Sequence, residues 1–220
     1  MIHSSTFEFL SNLASNNHKE WFDENRSDYE AAKENMLEVV DQLLDGLSEH
    51  HPEMASIRPK DCLFRINRDI RFSKNKAPYK VNMGAYMNPG GKKSPLPGYY
   101  LHIQPGDCFV GGGIYKPAAE HLKLIRSHIE QYPDELRAIM KSEDFVSTFG
   151  EIRGEELKSA PKGYPKDHPD IDLLRKKGFT GIKSFADTST QDPQFVQQAL
   201  NDYQALYRLN DYLAEALQTA

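Results

Sequence analysis

The chain has 220 residues, of which 39% are hydrophobic and 27% charged, and its formal net charge at pH 7 is −5. Eleven Tyr and eleven Phe make it too aromatic for a disordered chain. No run approaches the roughly 18 apolar residues of a membrane span, and no signal-peptide pattern opens the chain, so we predict a cytoplasmic protein with no membrane partner. Two cysteines, Cys62 and Cys108, exclude a disulfide scaffold, and no metal or other cofactor is predicted.

Positive charge is concentrated in two segments. Residues 58–93 hold ten Lys or Arg and two Asp, a net charge of +8, and residues 158–183 carry a net charge of +4. The rest of the chain therefore carries −17. This segregation favours a localised anionic ligand over general coating of nucleic acid, which would favour a basic protein overall. The alternative is a basic strand pair that faces acidic helices within one fold.

Helical periodicity marks the start of the chain. The pattern from Ser5 to Glu8 predicts a capping box and a short helix, which Asn16 and Asn17 end. Apolar residues at three- and four-residue steps then predict one long helix from Lys19 to about Leu44, with Gly46 as its terminator. Residues 47–60 are predicted to form a loop.

From Cys62 the apolar period changes from 3.6 to 2, which predicts the first strand of an antiparallel meander over residues 62–113. Further strands are predicted at 79–87, 99–104 and 108–112, with a possible fifth at Phe179–Phe185. Helices are predicted at 118–129, 133–140 and 173–177, with a final one from Asp192, and a long loop at 150–170. The pattern predicts a single α+β domain, with four to five antiparallel strands and helices packed mainly on one face.

Residues 65–80 are the densest polar segment. Strand alternation predicts that Arg65, Asn67, Asp69 and Arg71 share one face, about 7 Å apart at each two-residue step, while Phe64, Ile66, Ile70 and Phe72 pack beneath helices. Arginine recognises phosphate or carboxylate in a bidentate manner, and Asp69 would orient a neighbouring arginine. The predicted ligand-binding residues are Arg26, Arg65, Asn67, Arg68, Asp69, Arg71, Lys74, Lys76 and Lys80. The alternative is a solvated outer face with cross-strand ion pairs.

A neighbouring strand adds polar groups to this face. Tyr100, His102 and Gln104 share one parity, opposite to the apolar residues of the same strand. His102 is the natural acid–base candidate near neutral pH, and Asp69 is a second weak candidate for a catalytic group. Whether the protein is an enzyme stays open at this point.

An aromatic pair near the start of the chain and a run of three glycines also lead to predictions. The helical spacing places Trp21 and Phe22 in the core or in a site wall, with Asn25 and Arg26 one turn later near the polar face.

The Gly111–Gly113 run lacks the Gly-Lys-Ser/Thr ending of a nucleotide P-loop. We interpret it as a glycine bulge that permits close backbone approach or a sharp exit from the sheet.

The motifs together resemble the domain-of-unknown-function 2461 family over nearly the whole chain. The resemblance rests on Phe9-Leu10, the run from Asn16 to Phe22, Asn25-Arg26, Tyr29, the run from Arg65 to Lys74, Lys76, Pro78-Tyr79-Lys80, Gly111–Gly113, the run from Pro161 to Tyr164, and His168-Pro169. It implies one complete domain of a conserved hypothetical family and supplies no reaction or catalytic residue.

Three functions remain open. The first is an anion site for a phosphate- or carboxylate-bearing small molecule, and it is favoured because the basic residues alternate with Asp, Asn and Tyr. The second is a nucleic-acid-binding module, which would show an open positive stripe with exposed aromatic rings. The third is a protein-interaction domain without a ligand.

Overall fold

The computed structural model describes residues 1–218. Over that range the chain forms eleven α-helices and one open antiparallel sheet of four strands, so the predicted α+β class is confirmed. The strands are β1 Met83–Met87, β2 Gly98–Ile103, β3 Cys108–Ile114 and β4 Phe179–Phe185. Their order in the sheet follows the chain order, which makes β1 an edge strand.

The helices are short except for the third. They are α1 Ser4–Ser15, α2 Lys19–Glu24, α3 Arg26–Ser48, α4 Pro59–Cys62, α5 Ala119–Gln131, α6 Pro133–Lys141, α7 Glu143–Phe149, α8 Ile171–Leu174, α9 Asp187–Thr190, α10 Phe195–Gln204 and α11 Tyr207–Gln218. A single 3-10 turn, Pro52–Ser56, precedes α4. No helix within residues 1–218 combines the length and the apolar character needed to cross a membrane.

The first of two compact units consists of Met1–Lys92, Tyr100–Val110 and Ser184–Leu200. Its helical core forms where α1 packs on α3, because both helices present apolar residues at three- and four-residue spacing. Leu10 and Leu13 of α1 and Met36, Val40 and Leu43 of α3 are completely buried. This unit carries β1 and the basic segment that follows α4.

The second unit consists of Lys93–Tyr99, Gly111–Lys183 and residues 201–218. In it α11 packs against α5 and α6. Ile125 and Ile129 of α5, Leu136 of α6 and Leu213 of α11 are buried without exposure. The predicted loop at 150–170 contains no helix or strand and is attached by isolated antiparallel bridges from Arg153 to Thr180 and from Glu156 to Lys176.

Several helix predictions are wrong in detail. The predicted helix from Lys19 is broken at Asn25, whose side-chain amide donates to the Trp21 carbonyl at 2.8 Å and so competes with helical hydrogen bonding. The second piece continues past Gly46 to Ser48. The predicted capping box is absent, because α1 begins at Ser4 after His3 without a side-chain cap. The predicted final helix is two, α10 and α11, separated by a turn.

The predicted strand from Cys62 is also wrong, and the meander begins at Met83 instead. Residues 63–82 form an irregular hairpin, held by the isolated bridges Leu63↔Ala85 and Asn67↔Tyr79. Side chains there bond to nearby backbone groups and Pro78 has no N–H to donate, so a regular ladder does not form. Of the four residues predicted beneath helices, Ile66 is buried and Ile70 half-buried, whereas Phe64 and Phe72 are exposed.

The close backbone approach predicted for the glycine run is confirmed. Gly111 and Gly112 lie in β3, where a Cβ atom would come within 2.6 Å of the Gly181 and Gly98 carbonyl oxygens respectively. A side chain at either position would displace neighbouring backbone. The run therefore serves close packing within the sheet.

Candidate functional site

The irregular hairpin, residues 63–82, lies along the open edge of β1. The Phe64 amide donates to the Gly84 carbonyl at 2.9 Å, and the Lys80 amide donates to the Ile66 carbonyl at 2.8 Å. A further bond of 2.8 Å joins the Arg68 amide to the Pro78 carbonyl. The first of these bonds pairs part of the β1 edge, which would otherwise present unpaired backbone groups, and the other two join the two sides of the hairpin.

Three cations gather at this edge. We define them as the basic cluster: Arg65, Lys80 and Lys92. The Lys80 and Lys92 Nζ atoms lie 5.6 and 5.7 Å from the centroid of the Phe64 ring, within the range of a cation–π interaction. Lys80 Nζ also donates to the Arg65 carbonyl at 2.7 Å, and Lys92 Nζ donates to the Leu63 carbonyl. Phe64 remains 44% exposed, so the cluster surrounds an accessible ring edge.

None of the three cations of the basic cluster forms an ion pair within the described part of the chain, although the more distant carboxylates of Asp69 and Asp61 interact electrostatically with Arg65 and Lys92. No carboxylate oxygen of residues 1–218 lies within 4.0 Å of a side-chain nitrogen of Arg65, Lys80 or Lys92. Partial burial lowers the pKa of the Lys80 amine, and the positive charges of Arg65 and Lys92 lower it further. Like charges held together without a directly paired carboxylate create a local positive potential that an anion would relieve.

A second group of side chains lies on the sheet next to the basic cluster. We define the polar floor as Asn82, Tyr100 and His102. The Tyr100 hydroxyl oxygen is 3.0 Å from His102 Nδ1, and the Asn82 amide nitrogen is 3.3 Å from the same atom. The Phe109 ring stacks on the imidazole with centroids 4.6 Å apart and planes inclined by 10°.

The floor and the cluster meet through Tyr100. Its ring lies edge-to-face with Phe64 at a centroid distance of 6.3 Å. Gly84 makes this possible, because a Cβ atom there would lie 2.5 Å from the Tyr100 hydroxyl oxygen. The Tyr100 hydroxyl can therefore lie over Gly84 of β1 while it contacts His102 of its own strand.

Burial sets the protonation states of the floor. It lowers the pKa of His102, and the charge of Asp107 and a hydrogen bond with Gln104 oppose this only in part. It also raises the pKa of Tyr100 to about 12. Near neutral pH the floor therefore presents a neutral imidazole and an intact phenol, beside three cations. This donor set suits an anion with further hydrogen-bonding groups and does not resemble the carboxylate and thiolate sets that hold metal ions.

The structure separates the predicted ligand-binding residues into two sets. Arg65 and Lys80 belong to the basic cluster. Arg71 is engaged by Asp69, its Nε and Nη2 donating to the two carboxylate oxygens at 2.9 and 2.7 Å, and Arg26 donates to Asp23 at 2.7 Å. The remaining residues, which form local bonds or are exposed without joining the cluster, are Asn67, Arg68, Lys74 and Lys76.

The predicted placement of Trp21 and Phe22 is confirmed for Phe22, which is buried and stacks on Tyr79 at 4.0 Å. Trp21 is half-buried. The Arg26 guanidinium lies 5.6 Å from the centre of the Phe22 ring, which places it near the hairpin although it is itself exposed.

A family model described as conserved hypothetical protein (DUF2461) matches residues 5–212. The chain belongs to this family. Neither a curated protein nor a solved structure matches it. The DUF2461 motifs from the first helices and from the basic segment lie far apart in sequence, yet Asn17 and Phe22 both contact Tyr79 in the fold.

Sequence patterns do not identify all residues of the candidate site. Lys92 belongs to the basic segment but is not among the predicted ligand-binding residues, because it lies beyond residues 65–80. Its contact with Phe64 depends on the path of the hairpin. Phe64 was assigned to the core, and Phe109 received no role. Alternation along a single strand gives no signal for such contacts, since they depend on how an irregular segment lies against an edge strand.

Proposed function

We propose that the protein binds a phosphate- or carboxylate-bearing small molecule at the basic cluster. The observation that carries the proposal is that Arg65, Lys80 and Lys92 converge without a carboxylate partner in the described residues. Assembling like charges costs free energy, and a bound anion recovers that cost. Burial and the charges of Arg65 and Lys92 lower the pKa of Lys80 in the free protein. A bound anion would raise it again.

The ligand class follows from the chemistry of the cluster. Arg65 offers a planar fork that matches two oxygens of a phosphate or carboxylate, whereas each lysine offers a point charge. The exposed edge of Phe64 suits an apolar portion of the same molecule. Tyr100 and His102 of the polar floor provide neutral hydrogen-bonding groups for a second polar portion.

The proposal concerns binding, and an acid–base role for His102 stays a prediction. His102 is half-buried and its pKa is lowered, so near neutral pH the ring is neutral and has a lone pair that can accept a proton. Asp69 has a different environment, because it is ion-paired with Arg71. We assign Asp69 no part in the basic cluster.

A cytoplasmic location belongs to the same proposal. Both cysteines are buried free thiols, which is the usual state in a reducing compartment. Cell fractionation with an antibody to the protein tests this point, and recovery from a membrane or secreted fraction would contradict it.

The experiment for the binding proposal is a calorimetric titration at constant ionic strength with inorganic phosphate, citrate and a panel of phosphorylated metabolites. Lys80→Gln and Arg65→Gln should each weaken binding of the best ligand by about 10-fold or more, because each removes a charge-assisted hydrogen bond. Lys123→Gln and Arg208→Gln are matched controls, since both residues are exposed helical cations. Equal losses in all four variants, or no heat with any ligand at millimolar concentration, would refute the proposal.

A further inference from the structure

The far end of the hairpin presents a different surface. We define residues 69–77 as the tip loop. Phe72 is 95% exposed and is the most exposed of the large hydrophobic side chains in residues 1–218. The Arg71 guanidinium lies 5.9 Å from the centre of the Phe72 ring, and Lys74 and Lys76 are also exposed. An exposed aromatic ring therefore lies beside one guanidinium, in a loop that carries two further exposed cations.

A single exposed apolar side chain is common on protein surfaces. What distinguishes Phe72 is that the surrounding loop is held by its own hydrogen bonds. The Arg68 guanidinium donates to the Ala77 carbonyl at 3.0 Å and to the Ser73 hydroxyl at 3.4 Å. Lys76 Nζ donates to the Ile70 carbonyl at 3.0 Å, so both sides of the loop are tied together.

The cations of the tip loop are also oriented. Asp69 accepts two hydrogen bonds from the Arg71 guanidinium, at 2.9 and 2.7 Å, and a further one from the Arg71 amide at 3.3 Å. This arrangement holds the guanidinium plane beside Phe72. The ring and its neighbouring charge are thus presented together before any partner arrives, which lowers the entropic cost of binding.

We propose that the tip loop binds single-stranded nucleic acid, with one base stacked on Phe72 beside the ion-paired Arg71 guanidinium and the adjoining phosphates on Lys74 and Lys76. An exposed aromatic ring flanked by cations is the arrangement by which proteins hold single strands without reading their sequence. The charge of the segment supports it, since residues 58–93 carry a net charge of +8 in a chain of −5. This proposal uses residues outside the basic cluster and goes beyond small-molecule binding.

The same features favour a nucleic acid over a membrane. Ile70, the only other large apolar residue of the tip loop, is half-buried, so one phenyl ring is all that the loop offers for insertion. Interfacial membrane binding scales with the apolar area buried, and one ring provides little of it. A base, in contrast, needs only one flat ring to stack on.

The test is fluorescence anisotropy with a labelled mixed-sequence oligonucleotide, used as a single strand and as a duplex. We expect the single strand to bind more tightly, and Phe72→Ala to weaken its binding about 5- to 150-fold, which corresponds to about 1–3 kcal/mol of stacking for one base. Tyr115→Ala is the matched control, because Tyr115 is also exposed, at 67%, with Lys116 over its ring. It should leave the affinity unchanged.

Salt dependence and charge removal complete the test. Two phosphate contacts predict a loss of about 7-fold in affinity between about 50 and 200 mM salt, and Lys74→Gln with Lys76→Gln should remove most of that dependence. In the Lys80→Gln protein, Phe72→Ala should still weaken oligonucleotide binding by the same factor. That result would show that the tip loop binds independently of the basic cluster.

Three outcomes would overturn the proposal. These are no binding of the single strand at micromolar protein, equal affinity of the wild-type and Phe72→Ala proteins, and binding confined to phosphatidylserine vesicles. Because Phe72 is almost fully exposed, its substitution should leave the melting temperature unchanged, so a loss of binding cannot be attributed to unfolding.

Discussion

The side-chain amide of Asn17 makes two hydrogen bonds with the backbone of Tyr79, donating to its carbonyl oxygen and accepting from its amide, each at 3.0 Å. The two residues are 62 positions apart in the chain. Asn17 therefore pairs with Tyr79 as a neighbouring strand would. It anchors the hairpin, which bears Arg65 and Lys80 of the basic cluster, to the turn between α1 and α2.

The first prediction concerns this anchor. Asn17→Ala should lower the free energy of unfolding by about 1–2 kcal/mol, because it leaves two partly buried backbone groups without partners. Urea denaturation measures this change. Asn16→Ala is the control, since the Asn16 side chain bonds only to the Asn12 carbonyl in the preceding helical turn. A larger loss in the control than in Asn17→Ala would contradict the assigned role.

A second prediction concerns Gly84, which gives Tyr100 room to reach His102. In Gly84→Ala the new methyl group must displace the Tyr100 hydroxyl, which breaks its contact with His102 Nδ1. We expect the His102 imidazole resonances to change in the NMR spectrum as they do in Tyr100→Phe, which removes the hydroxyl alone. The unfolding free energy should fall by about 1–3 kcal/mol, as for other overpacked sites. Unchanged His102 resonances in Gly84→Ala would contradict this geometry.

The pH dependence of stability provides a third prediction. His128 of α5 is buried between Tyr132 and Tyr212, its Nε2 has no partner, and burial lowers its pKa from the ordinary value of 6.5 against the opposing charges of Glu215 and Glu135. Because the folded pKa is the lower one, the unfolded chain takes up the proton first as pH falls. The free energy of unfolding should therefore decrease below about pH 6.5, by at most about 1.4 kcal/mol per pH unit for one proton.

The variant for this test is His128→Phe, which keeps an aromatic ring and removes the titration. Its stability should depend less on pH between about 6.5 and 5, where most carboxylates are still charged. The lowered pKa of His102 adds to the slope of both proteins equally. Identical slopes for the two proteins, measured by urea denaturation, would show that His128 titrates alike in the folded and unfolded states.

The cysteines allow a fourth prediction. Burial raises the pKa of the Cys62 thiol to about 11 and that of Cys108 to about 12. The thiolate is the reactive form, so neither residue should be alkylated by iodoacetamide near neutral pH while the protein is folded. Both should react once guanidinium unfolds the chain. Mass spectrometry follows the reaction, and rapid modification of either cysteine in the folded protein would contradict its burial.

Local sequence patterns were sufficient to predict most strands of the sheet, but they did not predict the irregular segment along its edge. β4 lies at the predicted Phe179–Phe185, and the bounds of β2 and β3 differ from prediction by at most two residues. The alternation from Phe64 to Phe72 has the same period but does not form a strand. Alternation reports which side chains are apolar, whereas a strand also needs a partner for its backbone groups, and here Arg68, Asp69 and Pro78 favour local bonding instead.

The candidate site was predictable to a similar extent. Charge counting selected Arg65 and Lys80, and strand parity selected Tyr100 and His102 of the polar floor. The proximity of Lys92 to Phe64 depends on the path of the hairpin, which no local pattern encodes. The neutralisation of Arg71 by Asp69 arises from a turn that reverses the chain, and strand spacing predicted these two residues on an open face instead.

The most direct measurement of the central claim is an NMR titration of the protein labelled with ¹³C at the lysine Cε positions, using inorganic phosphate and then the best ligand from calorimetry. Binding at the basic cluster predicts saturable shifts for Lys80 and Lys92 with one dissociation constant, and a rise in the pKa of Lys80, which is lowered in the free protein. Because the anion favours the charged amine, affinity should fall as pH rises through that pKa. Lys123 should not respond. Linear, unsaturable shifts shared equally by Lys80 and Lys123, or an unchanged pKa of Lys80 at saturating ligand, would contradict an anion site at the basic cluster.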